Sequence, residues 1–561
     1  YDFSGDLNPT ASRIQSLLNE DYISTERETL EAIVNYKKSF GNHNLNLTGV
    51  LSYERYKSKT YGVGVIFDEN ASNDLQNLGS GAEGIAPTSN EDNATLAGKL
   101  LRAQYNYDGK YLISGSFRRD GSSKFSTANK YGDFFGVSAG WNIHDEDFFK
   151  NSEVLSFINS LKLRASIAEV GNQSIPSFAY QSIIESGINY PLGPNEGINF
   201  GQIQRRYVDT NIKWETTISR NIGIDATFFD NRLTLTADVY ESEKKDMLLS
   251  ERLTPSSGTY NPNGGGYDVK TINAGNMINR GLEIAISFKD ETQDGLKYNL
   301  SGTFTKNRNE VISLNGVKRG YGNGAPILSS TGIDFTTFLA EGYEAGAFFL
   351  VQHAGVIKTQ EQLAEYNLID GSAQLGDMMF IDQDNNNKID DNDRVYSGSG
   401  QADFEAGFNI NLEYKGFDLF VQNYFSYGAE IYNGSKLYAY ANGRHTDLFS
   451  MWSPQNPDSD IPTDRINTLH NNVRARSDYF VEDGSYWRIR NISLGYTIPG
   501  LLDTTGIGKA RVYVTAVNPF TFTKYSGYDP EVGGDGLFTR GVDRGDYPVT
   551  RQLMFGFQLS F

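Results

Sequence analysis

One stretch of this sequence concentrates oxygen-bearing side chains at the spacing that binds a hard cation. Residues 376–398 read GDMMFIDQDNNNKIDDNDRVYSG. Acidic and amide side chains, with one backbone carbonyl, fall at the ligand positions of an EF-hand-like loop. The candidate ligands are Asp382, Asp384, Asn386, Lys388 (through its carbonyl), Asp390 and Asp393. Such oxygens suit Ca²⁺, so the loop is predicted to hold a structural calcium ion.

Two positions of this acidic loop depart from the EF-hand pattern. Asn387 stands where glycine is usual, which asparagine tolerates because it can adopt a left-handed conformation. Asp393 replaces the bidentate glutamate, which would weaken binding or favour a smaller ion. No helical pattern flanks the loop, so a structural clip is predicted rather than a sensor. The alternative interpretation is a solvated acidic turn.

The sequence contains no motif that indicates catalysis. The 5 histidines are scattered, so no local zinc motif exists, and neither a nucleophile elbow nor a phosphate loop is present. The protein is therefore predicted not to be an enzyme. A formal net charge of -19 argues against nucleic acid as a partner, because phosphates demand a basic surface.

Aromatic residues in long polar segments offer a second kind of binding chemistry, since aromatic rings stack on the faces of sugars. The candidate substrate contacts are Tyr432, Tyr438, Tyr440 and Trp452. The same side chains would equally serve to pack the loops together or to contact a partner protein.

The elements that position these loops show period-2 alternation. Phe408, Ile410, Leu412 and Tyr414 alternate with polar residues, which predicts a strand with one apolar face. No run of about 18 apolar residues occurs, so a transmembrane helix is excluded. The 58 glycines, 34 tyrosines and 34 phenylalanines fit the turns and aromatic girdles of an outer-membrane barrel.

The connections distinguish a membrane barrel from a soluble sandwich. Tight turns at 41–44, Asp108-Gly109, Asp230-Asn231 and Lys415-Gly416 alternate with long polar loops, and the link 145–160 reads as a short helix. The long loops span roughly 57–92, 172–212, 243–277, 308–400, 428–483 and 520–548. Short periplasmic turns and long extracellular loops are typical of transmembrane antiparallel β-barrels, so the fold is predicted to be all-β.

The strand count predicts that the chain forms only part of a barrel. About fifteen strands run from near Leu30 to Phe561, and the first and last both run inward. Bacterial barrels have even strand numbers, so roughly seven further strands would complete a twenty-two-stranded barrel. The chain is therefore expected to be the C-terminal part of a transporter, with residues 1–26 in an outer loop. Phe557, Leu559 and Phe561 on the last strand suggest a sorting signal, or simply a final core strand.

Several motifs, in order, resemble the SusC/RagA family of TonB-linked outer-membrane transporters of Bacteroidetes. They are LLRAQYNYDGKYLISGSFRRDGSSKF (100–125), LKLRASIAEVGNQSIP (161–176), NIKWETT (211–217), FDNRLTLTADVYESEKKDML (229–248), SYWRIRNISLGYTIP (485–499) and NPFTFTKYSGYDPEV (518–532). The resemblance runs from about residue 93 to the end.

The resemblance implies active import of an oligosaccharide or peptide. Family members carry a signal peptide, a small N-terminal domain, a plug and a twenty-two-stranded barrel, of which the first three are not visible here. The implied partners are a SusD-like surface lipoprotein lid, TonB acting through the plug, the N-terminal part of the same transporter and outer-membrane lipid. The alternatives are a passive porin or adhesin barrel and a soluble β-solenoid or sandwich enzyme.

Overall fold

The computed structural model describes most of the chain and is dominated by strands. The described residues are 17–67, 77–182, 184–186, 190–192, 197–204, 207–253, 269–315, 326–329, 332–465, 472, 476–498 and 508–560. Within these ranges no helix is long and apolar enough to cross a membrane.

Fifteen strands form one antiparallel sheet in which neighbours in the chain are neighbours in space. The strands are β1 (Leu17–Phe40), β2 (His43–Ile66), β3 (Glu83–Tyr107), β4 (Tyr111–Ser122), β5 (Tyr131–Asn142), β6 (Ile158–Asn172), β7 (Glu215–Phe228), β8 (Leu233–Lys245), β9 (Asn276–Glu291), β10 (Lys297–Ser313), β11 (Phe404–Tyr414), β12 (Phe417–Tyr427), β13 (Tyr486–Ile498), β14 (Lys509–Thr523) and β15 (Gln552–Ser560). The all-β fold and the predicted strand number are confirmed.

Tight turns join strands at one end of the sheet, as predicted. The pair Asp108-Gly109 has φ angles of 54° and 73°, and Lys415-Gly416 has 48° and 87°. Asp230-Asn231 has 57° and 61°. Positive φ at both central residues suits the right-handed twist of a hairpin. The short helix expected within 145–160 is present as α1 (Asp147–Lys150).

The connections at the other end carry short elements of their own. Two further α-helices are α2 (Gln360–Tyr366) and α3 (Gly434–Ala441), and 3-10 turns lie at Leu78–Ser80, Asp391–Asp393, Thr446–Ser450 and Asp478–Phe480. The 3-10 turns Ile143–Asp145 and Glu153–Leu155 instead flank α1, in the β5–β6 link at the tight-turn end. Short strands lie at Ile184–Ser186, Tyr190–Leu192, Gly197–Asn199, Gln202–Gln204, Leu248–Arg252, Val269–Asn273, Pro326–Ser329, Gly332–Phe335, Thr337–Phe338, Ala347–Val351, His353–Val356, Met378–Phe380, Arg394–Ser399, Glu430–Asn433, Val481–Asp483 and Val542–Asp543. The long loop predicted over 308–400 spans 314–403.

The first strand begins earlier than its sequence pattern indicated. It was predicted near Leu30 but starts at Leu17, so residues 17–26 of the predicted outer loop are strand. Residues 1–16 lie outside the described residues. The part of β1 beyond the apolar band has no hydrophobic face, so alternation gives no signal there.

Pairing and charge hold this extension instead. Arg27 lies 3.7 Å from Glu54, and Arg55 lies 3.9 Å from Glu28, each across the β1–β2 pair. The hairpin of β2 and β3 likewise extends into the segment 57–92 that was predicted to be loop. Exposed ion pairs contribute little individually, so the continuous backbone ladder is the main support.

The two faces of the sheet differ in chemistry. Ile222 and Val239 are 69% and 60% exposed on one face, which is the lipid-facing side of a barrel wall. On the other face Tyr240 donates a hydrogen bond to Asn307, and loop residue Gln401 donates to the Asn307 carbonyl. Loops therefore fold over the polar, lumenal face. Strands β1 and β15 are the two edges of the sheet, and within the described residues they do not pair with each other.

Candidate functional site

Three long loops fold together above the lumenal face. The loops 314–403, 428–485 and 524–551 share an apolar core, and we call this assembly the cap. The core contains Phe348, Leu350, Tyr432, Leu437, Tyr440, Phe480 and Val542. A parallel pairing of Tyr432 with Val542 adds backbone bonds between two of the loops. Burial of this many apolar side chains makes the cap a folded unit rather than a set of independent loops.

Arg394 ties the acidic loop to the cap. Its side chain is 3% exposed and its Nη1 donates to the carbonyls of Phe335 and Phe349 at 2.7 and 3.3 Å. Its Nε donates to Asp391 at 3.0 Å, and the guanidinium lies over the Phe338 ring. A buried cation needs this complete set of partners to offset its desolvation.

The acidic loop brings together three of its six predicted ligands. Oxygens of Asp382, Asp384 and Asp393 lie within 4.8 Å of one another. Asn385 and Asn387 have φ angles of 56° and 61°, which confirms the left-handed conformation predicted for position 387. The chain therefore curls tightly enough for its two ends to converge.

Two of the other three predicted ligands form hydrogen bonds within the loop. Asp390 accepts from the Asn392 amide at 2.8 Å and caps the 3-10 turn that follows. The Asn386 side chain donates to Asp384 at 2.9 Å. Lys388 was predicted to contribute only its carbonyl. The calcium assignment itself stays a prediction.

The predicted aromatic substrate contacts are mostly buried. Tyr432 is 0% exposed, Tyr440 2% and Trp452 8%, so the prediction that these three contact substrate is wrong. Helix α3 points Leu437 and Tyr440 into the cap core, and its spacing leaves Tyr438 outside at 61% exposure. The alternative interpretation, loop packing, holds for the buried three, and only Tyr438 stays a candidate contact.

The last strand presents the predicted sorting residues on its outward face. Phe557 is 62% exposed and Leu559 is 37% exposed. Phe561 lies outside the described residues. The sorting role of these three side chains stays a prediction.

A chamber lies between the cap and the lumenal face of β5 to β10. Its volume is about 1310 Å³. Hydroxyl, amide and carboxylate groups line it, among them Asn221, Tyr240, Asn307, Glu344, Tyr396 and Asp403. A second cavity of about 450 Å³ shares Tyr240, Asn307 and Gln401 with it. The chamber is large enough for an oligomeric ligand, and these groups offer that ligand hydrogen bonds.

The cap contributes a pair of residues to this chamber that sequence patterns did not indicate. Tyr396 donates to Glu344 at 2.6 Å, and burial together with this bond raises the pKa of Tyr396. Burial, and then the charge of Glu344, raises the pKa of Glu430 in the adjoining cavity. These carboxylates favour ligands that donate hydrogen bonds or carry positive charge.

A buried arginine joins the wall to the cap. Arg488 is 1% exposed, and it bonds Asp529 at 2.5 Å and Glu531 at 2.6 Å. Arg490 also bonds Glu531, at 2.8 Å. The motifs at 485–499 and 518–532 thus meet through these contacts, which neither motif indicates alone.

A charged cluster spans three strands on the lumenal face below the chamber. Arg164 bonds Asp225 at 2.7 Å and Asp238 at 3.0 Å. A Cβ at Gly223 would lie 2.4 Å from the Asp238 carboxylate, so glycine leaves room for this arrangement of the two side chains. Partly exposed ion pairs of this kind suit a water-lined interior.

Comparison with known proteins identifies the family to which this β-sheet protein belongs. A family model described as TonB dependent receptor-like, beta-barrel matches residues 1–423. The chain belongs to the TonB-dependent receptor family. As a member, it is an outer-membrane β-barrel protein, which confirms the predicted location.

Individual relatives support the same family assignment. TonB-dependent receptor P3 of Formosa agariphila is 31% identical over 552 residues, which cover 96% of this chain and 53% of that protein. TonB-dependent receptor SusC of Bacteroides thetaiotaomicron is 29% identical over 481 residues, covering 83% and 44%. The chain therefore spans about half the length of the curated relatives it matches.

Solved structures share the fold. A chain of the RagAB peptide transporter superposes with a TM-score of 0.79 at 22% identity, covering 99% of this receptor chain and 57% of that chain. The SusC/RagA resemblance is confirmed. These relatives are named as receptors and transporters, which fits the prediction of a protein that is not an enzyme.

Proposed function

We propose that this chain forms part of an importer that moves oligosaccharides or peptides across the outer membrane, powered through TonB. The observation that carries the proposal is the chamber of about 1310 Å³ between a folded cap and the lumenal wall. Its hydroxyl, amide and carboxylate groups would bond sugar hydroxyls or peptide amides.

The same proposal includes an N-terminal part of the transporter that carries the plug. Strands β1 and β15 each leave one edge without a partner among the described residues. In lipid, every unpaired backbone group costs several kcal/mol, so these edges require neighbours. About seven further strands would close a twenty-two-stranded barrel, and TonB would act on the plug inside it.

A SusD-like lipoprotein is the proposed lid. Large apolar side chains project from the cap, including Phe449 at 94% exposure and Leu368 at 74%. Exposed apolar side chains of this size are typical of an interface. The variant F449A/L368A should reduce co-purification of the lipoprotein from outer membranes. Unchanged recovery would contradict a lid at these residues.

The import proposal is tested by uptake of labelled oligosaccharides and peptides in cells. Variants E344A and Y396A remove the cap's contribution to the chamber and should lower uptake of the substrate class that is transported. The matched control is E365A, an exposed glutamate on α2 that lies away from the chamber. Equal uptake by all variants would overturn the chamber's role.

Energy coupling separates active import from a passive porin or adhesin. Uptake by the proposed importer should cease when TonB is deleted or when the proton-motive force is dissipated. Diffusion through a passive barrel would persist under both treatments, and would contradict the proposal.

The proposed cofactor is a structural calcium ion in the acidic loop. Asp382, Asp384 and Asp393 would hold it, because three carboxylates within 4.8 Å repel one another without a cation between them. Bound there, the ion would fix the loop end next to Arg394 and thereby stiffen the cap.

A further inference from the structure

Four charged side chains form a row across the outward face of the wall. In the strand register Arg220 lies opposite Glu241, Glu241 opposite Arg280, and Arg280 opposite Arg308. Arg220 and Arg280 bond Glu241 at 2.7 and 2.9 Å. The row therefore follows one line of the strand register across β7 to β10.

The row marks the upper boundary of the lipid-facing band. Two residues nearer the tight turns, the same face carries Ile222, Val239 and Leu282. Apolar residues continue on this face down to the turns, as in the lipid-facing band of a barrel. The row therefore lies at the level of the outer-leaflet headgroups.

The arrangement leaves positive charge uncompensated. Arg280 and Arg308 are like charges directly opposite each other, a destabilising pairing on a sheet. Lys306 lies on the same face next to Arg308, and both side chains are exposed. Neither makes an ion pair within the described part of the chain, although Glu310 lies farther out on the same strand. Glu241 is shared between Arg220 and Arg280, and Arg220 also lies 3.7 Å from Glu243, so Lys306 and Arg308 are the two cations of the group for which the described residues show no ion pair.

Aromatic side chains lie on the same face, nearer the tight turns than Arg308. Phe304 stacks on Phe404 at 5.5 Å, and Phe404 stacks on Tyr427 at 5.3 Å. Rings of this kind form the girdle at a membrane interface. The cations therefore lie beside a headgroup boundary, with apolar surface below.

We propose that Arg280, Lys306 and Arg308 bind the phosphate of a phosphorylated glycolipid in the outer leaflet. The two guanidinium groups are suited to bidentate contact with phosphate oxygens, and Lys306 adds a point charge. The acyl chains would lie along Leu282 and Phe304. A bound phosphate would offset the repulsion between Arg280 and Arg308, because both guanidinium groups would contact it.

The experiment measures glycolipid retained by the receptor purified from its outer membranes in mild detergent. Native mass spectrometry of R280Q/K306Q/R308Q should show at least about ten-fold less bound phosphorylated glycolipid than wild type. The matched control R232Q/K289Q/K297Q removes three cations at the opposite end of β8 to β10 and should retain it. Equal retention by the first variant, or equal loss by the control, would overturn the proposal.

A second measurement uses unaltered receptor, so it does not depend on the folding of a variant. Delipidated wild type is offered phosphorylated lipid A or its dephosphorylated form. Preferential binding of the phosphorylated form supports the site. Equal binding of both would show that acyl chains alone are recognised. Loss of an acidic protein partner from the triple variant, with lipid retention unchanged, would also overturn the proposal.

Discussion

His353 and Asp478 lie 125 positions apart in the chain and form an ion pair between two loops of the cap. The ring Nδ1 is 2.7 Å from the carboxylate Oδ1, and the His353 backbone amide donates to the same oxygen at 2.9 Å. Tyr479 packs edge-on against the imidazole at 5.4 Å. The pair therefore connects loop 314–403 to loop 428–485.

This pair predicts a pH-dependent cap. The bond to Asp478 raises the pKa of His353 above its ordinary value of 6.5, although burial opposes the shift. The stabilisation is therefore fully present below about pH 6.5 and is lost as pH rises through the raised pKa of the folded state. Hydrogen exchange at 353–356 and 478–483 should be slower, after correction for intrinsic rates, in mild acid than in mild alkali. H353Q should abolish the difference, and its persistence would contradict the assignment.

Arg488 should anchor loop 524–551. R488M leaves Asp529 and Glu531 without their buried partner, and breaking such a pair costs about 3–5 kcal/mol. The effect should appear as faster hydrogen exchange or proteolysis in 524–551 while the wall stays folded. R490M, which removes a more exposed cation, is the control and should have the smaller effect. A reversed order would contradict the anchor.

Variants at two neighbouring residues of α3 should distinguish packing of the cap core from contact with substrate. L437A empties a fully buried site in the cap core and should destabilise the cap by about 2–5 kcal/mol. Y438A alters an exposed side chain and should change stability by less than about 0.5 kcal/mol. Limited proteolysis measures both. Lower uptake by a stable Y438A receptor would support substrate contact, and normal uptake would remove Tyr438 as a candidate.

Calcium removal should loosen the acidic loop without unfolding the wall. A chelator should speed proteolysis of 380–394, because three like charges would repel without the ion. D393N should lower calcium binding and make that segment insensitive to the chelator. E365Q, outside the loop, should behave as wild type. Equal calcium binding by D393N and wild type would exclude the site.

The sequence by itself determined the wall of this protein. Alternation from Phe408 to Tyr414 encodes a strand with one apolar face, and the turn residues at Lys415-Gly416 end it. Both signals are local, since a side chain's face follows from its position along the strand. The ladder of consecutive antiparallel strands then follows from short turns. Where both faces of β1 meet water, as at residues 17–26, the local signal disappears and the strand was missed.

Only the tertiary structure decided what the loops do. Tyr432 and Tyr438 are equally aromatic in sequence, yet packing against Phe348 and Phe480 buries the first and leaves the second outside. The partners of His353 and Arg488 likewise come from other loops or distant parts of the chain. Such contacts depend on where separate loops meet above the sheet. The spacing of residues along the chain does not determine that geometry. Spacing did encode the convergence of Asp382 with Asp393, because both lie within one short loop.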